Sequence, residues 1–209
     1  MLVKNIMIPK DKLTVVDMSC TVKETIDLID SKNLLSLPVV DGKNFVGVIS
    51  KKYIFEDFFN NEQSKENFLQ RPITEFMKNK IPCVHKEDIM EVAVKMLQEQ
   101  NRQFIPVVDD KDDFSGIVTH KAIFTTLTNI MGFGHTRIVV SVHEMKGILA
   151  KLTDIISRYD ANIISIATVD IEVMNLRQVI LRVDVKDVNK LVKKLEDNGF
   201  RVRRIDKNV

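Results

Sequence analysis

Two nine-residue stretches place a hydroxyl and a basic pair at the same distance from a glycine. They read "GVISKKYIF" from Gly47 and "GIVTHKAIF" from Gly116. Ser50 matches Thr119, Lys51 and Lys52 match His120 and Lys121, and Tyr53 stands against Ala122. A hydroxyl at the first turn of a helix accepts an otherwise unpaired backbone N–H, and cations beside a helix N-terminus favour bound phosphate. The spacing predicts phosphate chemistry, with the alternative that the hydroxyls only cap helices and the lysines stay solvated. The other polar motifs are weaker. His85, His135 and His143 lack a second ligand at metal spacing. "DDKDD" at Asp109 to Asp113 lacks the spacing and terminal Glu of an EF-hand and reads as a wet turn. "GFGHTR" precedes a strand and reads as a linker. No Walker sequence, serine elbow, zincin pair or Cys-X-X-Cys is present, and no catalytic residue or metal site is predicted.

The elements that position these residues are written twice. "LPVVDGKNFVGVIS" from Leu37 returns as "IPVVDDKDDFSGIVT" from Ile105, and "VVDMSCTVKETIDLI" from Val15 matches "CVHKEDIMEVAVKML" from Cys83. "VKNIM" ending at Met7 faces "ITEFM" ending at Met77. Val22, Ile26 and Ile29 form one apolar helix face, as do Ile89, Ala93, Met96 and Leu97. Each helix leads to two short apolar strands, joined in the first copy by an Asp-Gly hairpin, and then to the helix that Ser50 or Thr119 would cap. The unit is strand, helix, strand, strand, helix, and packing two of them together buries faces that one copy exposes. "NNEQSKENFLQR", from Asn60 to Arg71, reads as a solvated connector or helix end. Gly132 and Gly134 suggest a hinge.

From Arg137 the pattern changes. "RIVVSVH" is a strand, and Ile148, Leu152, Ile155, Ile156 and Tyr159 define a helix beginning near Gly147. "NIISIATVDI" and "QVILRVDV" are strands separated by "EVMNLR", and Val188, Leu191, Val192 and Leu195 give a second helix, stopped by Asn198-Gly199. A last strand follows from Phe200 and Val202. The order β-α-β-β-α-β is that of a ferredoxin-like unit. Basic and acidic residues number 17 and 19 up to residue 135 and 14 and 10 beyond it. Neither balance makes a basic stripe, so nucleic acid is not expected as a partner. No apolar run is long enough to span a bilayer, the first residues turn polar too early for a signal peptide, and Cys20 and Cys83 read as reduced thiols, so a cytoplasmic protein is expected.

The doubled "PVVD" and glycine-to-hydroxyl blocks, each preceded by a Met-ending segment, resemble a tandem CBS pair, or Bateman module. The C-terminal unit, with Gly147 opening its first helix and "DANIISI" leading into its second strand, resembles an ACT domain. The CBS-CBS-ACT order is similar to that of AcuB-type acetoin-utilisation regulatory proteins. The expected fold is α+β: CBS copies at 1–60 and 73–131 with a connector at 61–72, a linker at 132–136, and the ACT domain at 137–209. The resemblance implies a non-catalytic, allosteric regulator and homodimer, with a regulated protein partner possible in principle and no cofactor. Its ligand would be an adenosine nucleotide: AMP, ADP, ATP or cyclic di-AMP.

In the CBS family an acid three residues after the hydroxyl holds the ribose, and Tyr53 and Ala122 occupy that position here. The cleft walls would come from Val15, Val16, Ser36, Leu37, Pro38, Cys83, Val84, Phe104, Ile105 and Pro106, around Ser50, Lys51, Tyr53, Thr119, His120 and Lys121. Phe104 and Tyr53 could stack on a base, although each wall residue equally suits an ordinary core. In the ACT unit, Glu144, Gly147 and Ile148 fill the turn that receives a carboxylate effector, and Asn162 would act from a neighbouring subunit. Gly147 equally suits a tight turn in a domain that only dimerises. The alternatives are an assembly module with ligand-free CBS clefts and an amino-acid sensor working through the ACT domain.

Overall fold

The computed structural model describes residues 1–61, 64–100, 102–143, 145–171 and 176–207. Two compact units, residues 1–124 and 125–209, divide the chain.

In the first copy, β1 (Ile8–Pro9), β2 (Val16–Asp17), α1 (Val22–Ser31), β3 (Ser36–Asp41), β4 (Asn44–Ser50) and α2 (Lys51–Asn60) follow in order. After α3 (Lys65–Leu69) come β5 (Val84–His85), α4 (Met90–Gln100), β6 (Phe104–Val108), β7 (Phe114–Thr119) and α5 (His120–Ile130). A capping box starts α1. The Thr21 hydroxyl accepts the Glu24 amide at 3.3 Å and Glu24 accepts the Thr21 amide at 2.8 Å, which holds the Glu24 carboxyl below its usual range. Val22 and Ile29 are fully buried, as the helical spacing predicts.

Two expectations need correction. The buried face of α4 is Met90, Ala93 and Leu97, while Ile89 is 52% exposed. Ile89 lies ahead of the helix, where its backbone bridges Leu2, so the apolar period starts one residue later. The connector is also not simply solvated. Ser64 caps α3, and Phe68, at 3% exposure, packs with Ile29, Ile54 and Phe76 in the first core.

The two copies exchange their leading segments. Strand β1 pairs with β7 of the second copy, Ile8 opposite Ile117 and Pro9 opposite Gly116, completing the sheet β1-β7-β6-β5. Reciprocally, Lys78 bridges β4 of the first copy, its amide and carbonyl both bonded to Val48 at 2.9 Å. The same exchange continues upstream, where Val3 N donates to Asp88 O and Ile73 N to Cys20 O. This explains the repeated glycines. A β-carbon on Gly116 would stand 2.3 Å from Ile8 O, and one on Gly47 would stand 2.6 Å from Lys78 O.

The C-terminal unit contains β8 (Thr136–His143), α6 (Ile148–Ser157), β9 (Asn162–Asp170), β10 (Leu176–Asp184), α7 (Val188–Asp197) and β11 (Arg201–Asp206). Its antiparallel sheet runs β11-β8-β10-β9, the ferredoxin-like order. Ile138, Val140, Leu152, Ile156, Val179, Leu181, Leu191 and Leu195 are fully buried in one core. Of the predicted "EVMNLR" connection, residues 172–175 lie outside the described residues, and β10 begins at Leu176.

Within this unit, hydrogen bonds join the glycine-containing segment ahead of β8 to the sheet. Ser165 Oγ donates to Met131 O at 2.7 Å, and Arg182 donates to His135 O at 3.1 Å. The buried Arg182 guanidinium lies 4.5 Å from the Phe133 ring centroid, a cation–π contact. Arg182 reaches this segment because alternation along β10 turns it to the face opposite Leu181 and Val183.

Gly116→Ala and Gly47→Ala should each lower stability in urea unfolding by about 1–3 kcal/mol, the usual cost of forcing atoms into a packed contact. In the C-terminal unit, Asp206 accepts from Arg137 at 2.8 Å and from Arg204 at 2.6 Å. Hydrogen bonds from Arg204 and then Arg137 hold its carboxyl below the usual range. A lowered folded value means that the stabilisation is complete above the ordinary aspartate value near ~4 and is lost as pH falls through the folded value. Melting temperature measured against pH should therefore decline on the acid side, and Asp206→Asn should flatten that decline.

Candidate functional site

Both hydroxyls of the repeated motif cap helices. Ser50 ends β4 in extended conformation, and its Oγ accepts the Tyr53 amide at 3.4 Å. Thr119 accepts the Ala122 amide at 3.1 Å. Each oxygen keeps its own proton, so a cap of this kind can still donate to a bound anion.

A cavity of about 800 Å³ opens in the N-terminal unit. Its wall draws on corresponding positions of the two copies: Leu34 with Arg102, Leu35 with Gln103, Ser36 with Phe104, and Lys51 with His120. Ser36 Oγ donates to Gln103 Oε1 at 2.6 Å, joining the copies there. The rest of the wall comes from the first copy and its exchanged segment: Val48, Ser50, Lys52, Tyr53 and Lys78. Lys78 Nζ stands 5.1 Å from the Tyr53 ring centroid. Lys51 pairs with Asp30, and Lys52 lies 3.7 Å from Glu56.

The cavity therefore gathers seven of the residues singled out in the sequence: Ser36, Ser50, Lys51, Lys52, Tyr53, Phe104 and His120. Phe104 is only 5% exposed and its ring belongs to an apolar cluster with Val40, Phe114 and Ile117, which Val15 also joins. Its capacity to stack on a base is taken up by the core. Val16, Leu37, Val84 and Ile105 are at most 3% exposed, and Pro38 and Pro106 are buried with them. Four consecutive residues are buried in each of β3 and β6, so both faces of these strands are covered. Cys83 is half-buried, and burial pushes its thiol up, away from the reactive thiolate. Thr119 and Lys121 do not line the cavity.

Sequence reading missed Lys78, Arg102 and Gln103. Lys78 arrives through strand exchange, which leaves no periodic signal. Arg102 and Gln103 immediately precede the matched "FIPVV" block, so extending the repeat alignment upstream would have found them.

The remaining polar motifs have local partners. His85 Nε2 lies 3.1 Å from Asp110, and Asp109 accepts the Lys111 and Asp113 amides, a turn that holds the Asp109 carboxyl below its usual range. Among the described residues, no three His, Cys, Asp or Glu side chains cluster to hold a metal ion, and no helix is long and apolar enough to cross a membrane.

In the C-terminal unit, Gly147 precedes α6 at φ 82°, a left-handed conformation that glycine adopts without strain. Gly147, Ile148 and Arg177 line a cavity of about 200 Å³. Asn162 lies in a separate depression with Thr153 and Ser157, so one protomer does not bring Asn162 to Gly147. Glu144 lies outside the described residues.

Paired βαββα units followed by a ferredoxin-like sheet define a CBS pair joined to an ACT domain, two non-catalytic regulatory modules. The CBS-domain family matches residues 3–59 and 73–129, and the chain belongs to it. The TTHA0829-like ACT domain matches residues 134–206. An uncharacterised protein of Methanocaldococcus jannaschii is 29% identical over 110 residues, covering 53% of this chain and 34% of that protein. The chain thus spans about a third of that curated relative's length. A Bacillus anthracis CBS domain-containing protein of unknown function has a TM-score of 0.56 at 25% identity, covering 61% of this chain and 93% of the other. CBSX2, known from Arabidopsis thaliana, was solved in complex with AMP. That structure has a TM-score of 0.55 at 26% identity and covers 62% of this chain and 97% of CBSX2.

Thr119→Val should cost about 0.5–2 kcal/mol in urea unfolding, the usual value of an N-cap. Ser50→Ala, which removes a longer contact, should cost less.

Proposed function

We propose that the chain is a regulatory sensor that binds an adenosine nucleotide in the cavity of its CBS pair and couples occupancy to its ACT domain within a homodimer. The observation that carries this reading is the convergence of Ser50, Lys51, Tyr53, Lys78, Arg102 and His120 on one cavity of about 800 Å³, within the usual range for small-molecule sites. The likeness to CBSX2, solved with AMP, supports the same assignment. The phosphates would lie toward the lysines and Arg102, and Tyr53 would offer its ring to the base.

Coupling would work by population shift: the nucleotide biases the dimer only to the extent that it binds one arrangement better than another. In this reading the CBS-CBS-ACT order makes the chain similar to AcuB-type regulators. A regulated protein partner would read the shift. A second effector site is favoured by Gly147, Ile148 and Arg177 around the smaller cavity, where the α6 N-terminus and a guanidinium suit a carboxylate such as that of an amino acid.

Calorimetric titration of ligand-stripped protein with AMP, ADP, ATP, cyclic di-AMP and S-adenosylmethionine should give saturable heat with at least one nucleotide. Absence of heat with all five would remove the nucleotide reading and leave the assembly role.

A further inference from the structure

Leu34 and Leu35 bring apolar side chains to the wall of the larger cavity, yet they stay open to solvent, at 38% and 71% exposure. The matching residues of the second copy are Arg102 and Gln103, so these two positions are apolar in one copy and polar in the other. A single exposed leucine is ordinary on a protein surface. Leu35 differs in that it lines a cavity and in how it is mounted.

Behind Leu35, α1 closes in a Schellman motif. Asn33 adopts the left-handed conformation at φ 51°, its amide donates to Asp30 O at 3.1 Å, and the Leu34 amide donates to Ile29 O at 3.0 Å. An apolar residue at Leu34's place in that motif commonly packs on the last helical turn, which gives Leu34 a local reason to be apolar. Leu35 keeps most of its surface in water. Ahead of it, Ser36 begins β3 opposite Ser50 and donates its hydroxyl to Gln103 of the second copy at 2.6 Å. The backbone on both sides of Leu35 is therefore fixed, and an apolar side chain is held where the cavity meets solvent. Held in this way, it loses little further freedom when a ligand covers it.

Because Ser36 pairs with Ser50, Leu35 and the first turn of α2 leave the sheet at the same end. That turn carries Lys52 and Tyr53 to the cavity. A branched aliphatic side chain cannot hold a phosphate, but it can take the flat apolar face of a base out of water, which is favourable. We infer, resting on the nucleotide reading, that Leu35 covers the base of the bound ligand. Its side chain lies on one face of a purine and supplies affinity that depends on the base and not on the number of phosphates.

The test is calorimetric titration of the full chain, stripped of ligand, with AMP, ATP and inorganic tripolyphosphate, in wild type, Leu35→Ala and Leu35→Met. Leu35→Ala should weaken AMP and ATP by the same factor, about fivefold or more, the scale expected when apolar cover is removed. Tripolyphosphate, which carries no base, should give the same heat with Leu35→Ala as with wild type. Leu35→Met keeps the apolar bulk and should bind both nucleotides within about twofold of wild type. The melting temperature of unliganded Leu35→Ala should match wild type, because the side chain is mostly exposed. Unchanged binding of AMP and ATP by Leu35→Ala overturns the inference and leaves the nucleotide reading standing. Weakening of tripolyphosphate by the same factor as ATP also overturns it. Dissociation of a wild-type dimer by Leu35→Ala in sedimentation, with nucleotide affinity unchanged, overturns it in favour of an interface between copies. No binding of AMP or ATP to wild type overturns both the inference and the nucleotide reading.

Discussion

The carbonyl oxygen of Ile8 lies 2.3 Å from where a β-carbon on Gly116 would sit, and that of Lys78 lies 2.6 Å from the same place on Gly47. These two close approaches hold the N-terminal unit together as a pair. Each is part of a backbone pairing in which the segment ahead of one copy completes the strand edge of the other. Because the exchanged carbonyls must find their amides, neither copy satisfies its backbone alone. The cavity depends on this exchange, since Lys78 enters its wall only by crossing to β4.

The internal repeat suggests two equivalent clefts, but the side chains make the halves unequal. On the first copy's side, Ser50, Lys52, Tyr53 and Lys78 extend the cavity wall. The positions matching Tyr53 and Lys78 are Ala122 and Ile8, and Ile8 packs with Val40, Phe104, Phe114 and Ile117 in an apolar cluster. One side of the pseudo-symmetric pair has been kept polar and the other given to packing. That asymmetry follows from substituting a few side chains on a backbone that remained nearly the same, down to the matching bulges after Val39 and Val107.

The C-terminal unit shows the same separation between pattern and placement. Period-2 alternation in β10 correctly sends Val179, Leu181 and Val183 into the core. It also puts Arg182 on the opposite face, where a buried charge needs partners. Phe133 and the carbonyl of His135 supply them. Local composition around the glycines at 132 and 134 says nothing about which distant side chain of the same unit will contact that segment.

The sequence by itself determined the repeated βαββα units, the ferredoxin-like order, the caps at Ser50 and Thr119, and the hydroxyl and basic groups on the cavity. These are settled by spacing within about a dozen residues, where helical and strand periods leave their mark. Only the tertiary structure decided that the leading segments exchange copies, that Lys78 and Arg102 join the wall, and that Val16, Leu37, Val84 and Ile105 belong to the core. Pairing between distant backbone edges is made by groups every residue carries, so it leaves no signature in residue type. Whether an apolar strand residue faces a cavity or a core depends on what packs against it.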